Sequence, residues 1–140
     1  MPFPPIYHGL ICEELRSEQR NLITLLGFYG VMPYVELAVQ NFTGPVRLAF
    51  LLVGGPGSGS FNVSVRLVAP DGVPLSTPPS FPWNIDSTKP RSNLGFGMIG
   101  MVLPQAGMYT FELLVEGEGR PVYTNNFTVR LAQPGELPPA

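Results

Sequence analysis

Phe61-Asn62-Val63-Ser64-Val65-Arg66-Leu67 is the stretch that decides the fold class. Apolar side chains at 61, 63, 65 and 67 alternate with Asn62, Ser64 and Arg66. Successive strand side chains point to opposite faces, so the stretch is a strand with one buried face and one wet face. Pro70-Asp71-Gly72 follows it closely, and Asp-Gly after a clean strand marks a tight turn. The alternation recurs at Tyr109, Phe111, Leu113 and Val115, at Phe127, Val129 and Leu131, and at Val35, Leu37 and Val39.

Other runs are apolar on both faces, at Leu22–Tyr29, Leu48–Val53 and Leu94–Leu103. Their β-branched and aromatic content and their Gly/Pro borders favour strands over short helices. Tyr7–Leu15 is a further strand candidate. The connections read as turns: Gly117-Glu118-Gly119 between two strands, Ser17–Asn21 as a polar break, and Gly54–Ser60 as a flexible Gly/Ser hairpin loop. The 140 residues suit one domain, spanning residues 1–140 with Pro-rich ends at about 1–6 and 133–140. Seven to nine strands without a convincing helix give an all-β fold of two antiparallel sheets packed face to face.

Composition removes several classes of function. Gly and Pro number 16 and 17, which disfavours long helices, while 44% apolar and 13% charged residues exclude general disorder. A net charge of −2 argues against nucleic acid, which needs clustered Lys and Arg. No apolar run reaches the roughly 18 residues of a membrane helix. The start, Met1-Pro2-Phe3-Pro4-Pro5, lacks the basic and apolar regions of a signal peptide, so a cytoplasmic location is expected.

Leu103-Pro104-Gln105-Ala106-Gly107-Met108-Tyr109 leads into a strand with Phe111 two residues beyond the tyrosine. This resembles the tyrosine corner of immunoglobulin-like sandwiches, in which the hydroxyl bonds back to upstream backbone. Phe111 would then stand where antibody domains place their second cysteine. A second resemblance lies in Cys12-Glu13-Glu14-Leu15-Arg16 followed by Leu22-Ile23-Thr24-Leu25-Leu26-Gly27-Phe28-Tyr29. A Cys-acidic-x-x-Arg strand, then a Leu-x-Leu-x-Gly-x-Tyr/Phe strand and a late Gly-x-Tyr strand, is similar to a family of small bacterial proteins. The likeness implies a bacterial immunoglobulin-like sandwich. That family has no established activity, so no catalytic residue carries over.

Catalytic groupings are weak throughout. His8 and Cys12 on one strand would lie about 13 Å apart, at about 3.3 Å per residue. A nucleophile and its base must be within hydrogen-bonding reach. One His and one Cys cannot supply a zinc site, and no spaced Asp/Asn loop of the calcium type occurs. Gly54–Ser60 resembles a phosphate loop only superficially: Ser60 stands where the lysine should be, and a strand follows instead of a helix. Glu112, Glu116 and Glu118 read as solvated surface carboxylates. The expectation is a non-enzyme without cofactor or metal.

Two features point to binding. The long segment Ser76–Asn93 holds Phe81, Trp83 and Ile85, which read as a short edge strand over the core or, as the alternative, as a partner contact. The two-sided apolar strands leave Leu25, Phe28, Leu51, Val53, Ile99 and Met101 as candidates for self-association through an outer sheet face. Gly95, Gly97 and Gly100 would let another backbone approach. The expected function is a non-catalytic binding or structural module, homo-oligomeric or with a protein partner. Alternatives are a carrier of a small apolar ligand in a barrel-like interior, a structural or decoration protein of a phage-like assembly, and an enzyme completed between subunits by His8, Cys12 or Glu13.

Overall fold

A computed structural model describes residues 3–18, 23–75 and 79–137. The polar break at 17–21 and the Pro-rich ends therefore lie partly outside the described residues. Among the described residues nine strands are formed: β1 (Ile6–Ser17), β2 (Ile23–Val31), β3 (Glu36–Val39), β4 (Val46–Gly54), β5 (Gly59–Val68), β6 (Phe81–Ile85), β7 (Ser92–Met101), β8 (Gly107–Val115) and β9 (Tyr123–Leu131). They make a four-stranded sheet, β2-β1-β4-β7, and a five-stranded sheet, β3-β9-β8-β5-β6. The strands do not close a barrel.

The alternating stretches form the inner layer of the five-stranded sheet. Val63, Val65 and Leu67 of β5, Tyr109, Phe111 and Leu113 of β8, and Phe127 and Val129 of β9 are all buried. Leu48, Phe50 and Leu52 of β4 and Ile11 of β1 meet them from the other sheet. Phe50 packs on Phe111 with ring centroids 4.8 Å apart. That contact joins the two sheets where an antibody domain has its disulfide.

The immunoglobulin likeness extends to the corner. Tyr109 donates its hydroxyl to the Gln105 carbonyl at 2.7 Å, and the Gln105 amide donates back to the same oxygen at 3.1 Å. The buried phenol thereby meets both its hydrogen-bonding needs.

One connection and one strand pairing differ from the sequence expectation. Gly54–Ser60 is not a flexible hairpin loop but the crossing from β4 in one sheet to β5 in the other. Gly55 donates to the Pro5 carbonyl at 2.9 Å, and Gly54, Gly55 and Gly57 are buried against Pro4, Pro5 and Tyr7. Absent side chains allow the N-terminal segment to lie directly on this backbone. The sheets are also not wholly antiparallel. β3 runs parallel to β9, with Glu36 opposite Thr128 and Val39 opposite Leu131.

Candidate functional site

β7 arises from the uncharged run after Arg91. No Asp, Glu, Lys or Arg occurs between Arg91 and Glu112. Inward Leu94 and Met98 are buried and Phe96 is half-buried, while outward Gly95 and Gly97 are exposed. Phe96 stacks on Phe50 and Phe111 with centroids 5.5 and 6.1 Å apart, which fixes which face points into the core. Opposite β4, two residues of β7, Ile99 and Gly100, face the single Arg47, since Met98 pairs with Leu48 and Met101 with Val46. Gly100 has φ +76° there, a left-handed conformation that glycine adopts without steric cost.

β7 is the end strand of its sheet. An immunoglobulin sheet of this kind runs A-B-E-D, and β7 occupies the E position beside β4. The segment preceding it, β6, pairs instead with β5 of the other sheet. Among the described residues no D-like strand covers β7, so from Ser92 to Met98 its outward-directed backbone groups form an edge of the sheet with no strand paired to it there.

Beside this edge the sandwich is open. A cleft of about 340 Å³ lies between β7 and β6, lined by Val65, Phe81, Phe96 and Met98, by Gly95 and Gly97, and by Pro79 and Ser80 just before β6. Phe81 and Phe96 are half-buried there, their ring centroids 6.0 Å apart. Edge and cleft together offer backbone partners and an apolar recess within one stretch of chain.

Phe81, Trp83 and Ile85 sit on β6 as the edge-strand reading expects. Trp83 and Ile85 point inward and are buried, Trp83 against Phe3 at 5.3 Å, so only Phe81 borders open space. Of the self-association candidates, Met101 belongs to the core and Leu51 is only 7% exposed. Leu25 and Val53 are half-buried, and Phe28 is 56% exposed. The side chain of Ile99 lies outside the described residues.

The chain itself covers much of the outer face of the four-stranded sheet. β1 continues past its pairing with β4 and carries Leu15 across to β7, where a Cβ on Gly95 would be 2.9 Å from Leu15 Cδ1. Sequence pattern showed the surplus of apolar residues but not that a hairpin folds over them. Below that hairpin is a second cleft of about 390 Å³, lined by Glu14, Arg16, Arg47 and Ala49 among others. A third, of about 580 Å³, is bordered by Glu13, Tyr29, Arg47 and Leu137.

Burial acts on two reactive groups near these clefts, Cys12 and Tyr29. Burial raises the Cys12 pKa above its ordinary value, and the thiol donates to the Glu14 carbonyl at 3.3 Å. Burial, reinforced by the charge of Glu13, pushes Tyr29 up to about 12. Thiol and phenol therefore both stay protonated at neutral pH, and neither is a ready nucleophile. His8 is exposed, whereas Cys12 is fully buried. Among the described residues no group of three or more His, Cys, Asp or Glu side chains is placed to hold a metal. No helix among them is long and apolar enough to cross a membrane.

No protein-family model matches the chain, and no curated protein is significantly similar to it.

Proposed function

We propose that this protein is a non-catalytic protein-binding module that accepts an extended polypeptide segment as an added strand along β7. The observation that carries the reading is a free, uncharged strand edge with an apolar cleft beside it. Strand addition draws affinity from main-chain hydrogen bonds and specificity from recesses that take alternate side chains. The edge supplies the first and the cleft the second. Natural sheets blunt unused edges with lysine, proline or short strands. From Ser92 to Met98 β7 has none of these.

Residue-specific photo-crosslinking in the native host tests this. A photoreactive side chain at exposed Asn93 on β7 is expected to yield a discrete polypeptide adduct. The same group at exposed Thr124 on β9 is expected to yield none. Equal labelling from both positions, or none from Asn93, overturns the proposal.

A further inference from the structure

We infer that the segment received by β7 is β7 of a second copy, paired antiparallel about a two-fold axis through Phe96. The inference rests on the strand-addition reading above and names its occupant.

The sequence around Phe96 has a mirror pattern of side-chain size: Leu94-Gly95-Phe96-Gly97-Met98. An antiparallel partner centred on Phe96 sets Leu94 against Met98 of the second copy, Gly95 against Gly97, and Phe96 against Phe96. On the inner face every juxtaposition is then apolar. On the outer face glycine meets glycine, so neither β7 strand sets a side chain of its own between the two backbones, and Leu15 lies above Gly95. A two-fold contact must be complementary to itself, and this stretch meets that requirement at each paired position.

Charge selects the same occupant. Two identical strands place like residues near one another, so a charged edge would repel its own copy. β7 carries no charge over its whole length, so the paired strands set no like charges against one another, and the nearest charges, Glu14, Arg16 and Arg47 beside Gly95 and Gly97, are of both signs. The pairing also brings the two clefts side by side. Phe81 and Phe96, each half-buried in one chain, would then cover each other across the axis.

β7 is favoured over β2, the other free edge of this sheet. In β2 the ladder is interrupted midway, because Ile11 pairs with Gly30 but Cys12 with Phe28, leaving Tyr29 unmatched. In β7 the bulge is confined to Ile99 and Gly100, beyond the proposed pairing.

The test is a charge swap at Gly97, where an added Cβ meets no atom within 4 Å, so the substituted chains should keep their fold. In the proposed register, side chains at position 97 of the two copies lie diagonally across the axis on one face. Sedimentation velocity at micromolar concentration is expected to show a dimer for the natural sequence. Gly97→Lys and Gly97→Asp alone should each weaken the dimer roughly tenfold or more, and their equimolar mixture should restore a mixed dimer. A fold defect would not be rescued by mixing. A dimer indifferent to both substitutions, or a mixture that stays monomeric, overturns the register.

A second measurement needs no substitution. Amide exchange of the natural protein at low and high concentration should slow selectively along Leu94–Met98. Concentration-independent exchange there overturns the inference. A natural protein that is monomeric by sedimentation, yet crosslinks from Asn93 to a different polypeptide, sinks the second copy as occupant and leaves the strand-accepting edge standing.

Discussion

On the outer face of the five-stranded sheet, Arg66 sits opposite Glu112 and bonds it at 2.7 Å, while Asn62 donates to Glu116 at 2.7 Å. Across the four-stranded sheet, one outward row reads Phe28, Cys12, Ala49 and Gly97. The edges differ in the same sense. β6 is five residues long and contains Pro82, which cannot donate to an added strand. β3 is four residues long, and Arg130 of β9 ties its Glu36 to Glu136 of the C-terminal segment. β7 is ten residues long and uncharged, and β2 is nine residues long and uncharged. Both sheets share one core, yet only one is finished against water on its outer face and both edges. The difference teaches that the surface left for the proposed association belongs to one sheet, and to its edge more than its covered face.

The largest expected effect tests the part the two sheets share. Phe111→Ala should cost about 3–5 kcal/mol in denaturant unfolding, because it empties the centre of the ring contact to Phe50. A loss below about 1 kcal/mol would mean that the sheets do not depend on a common core. Next is Gly95→Val, whose added carbons meet Leu15 and should lift the β1–β2 hairpin at a cost of about 1–3 kcal/mol. Amide exchange should rise in β1 and β2 and stay unchanged in β8 and β9. A uniform rise would erase the distinction between a self-covered face and a wet one.

Smaller effects probe the polar sheet. A double-mutant cycle on Arg66 and Glu112 should give a coupling of about 0.2–1 kcal/mol that shrinks with added salt, since the arginine is 44% exposed. A salt-independent coupling would contradict a solvated surface pair. The last concerns Glu136, which its hydrogen bond to Arg130 lowers from 4.5 to about 2. Below pH 4.5 the unfolded chain takes up this proton before the folded chain does. The contribution of the pair is therefore present above 4.5 and falls away as the pH drops toward 2. Glu136→Gln should remove that part of the acid dependence in a pH-resolved melting series. An unchanged profile would show that the C-terminal clasp does not hold β3 in place.

The alternation at Phe61–Leu67 and Tyr109–Val115 made the five-stranded sheet legible, because a strand with one wet face writes its geometry into consecutive residues. The tyrosine corner was readable for a similar reason: its partner, Gln105, is four positions away in the chain. Asp71-Gly72 likewise marks a local turn, and Gly72 donates to the Ala69 carbonyl at 2.9 Å. The two-sided apolar runs identified the other sheet as strands but left its layers ambiguous. Nothing in Leu51 or Met101 alone says which is covered by a hairpin and which belongs to the core.

The sequence by itself determined the strand content, the inner face of the polar sheet, the corner and the absence of charge along β7. Each of these depends on neighbours within a few residues. Only the tertiary structure decided that β3 lies parallel to β9, that β6 joins β5 so that β7 ends its sheet, and that Leu15 lies over Gly95. Those outcomes are contacts between segments far apart in the chain. They depend on which surfaces meet once the core has closed, and periodicity carries no record of that choice.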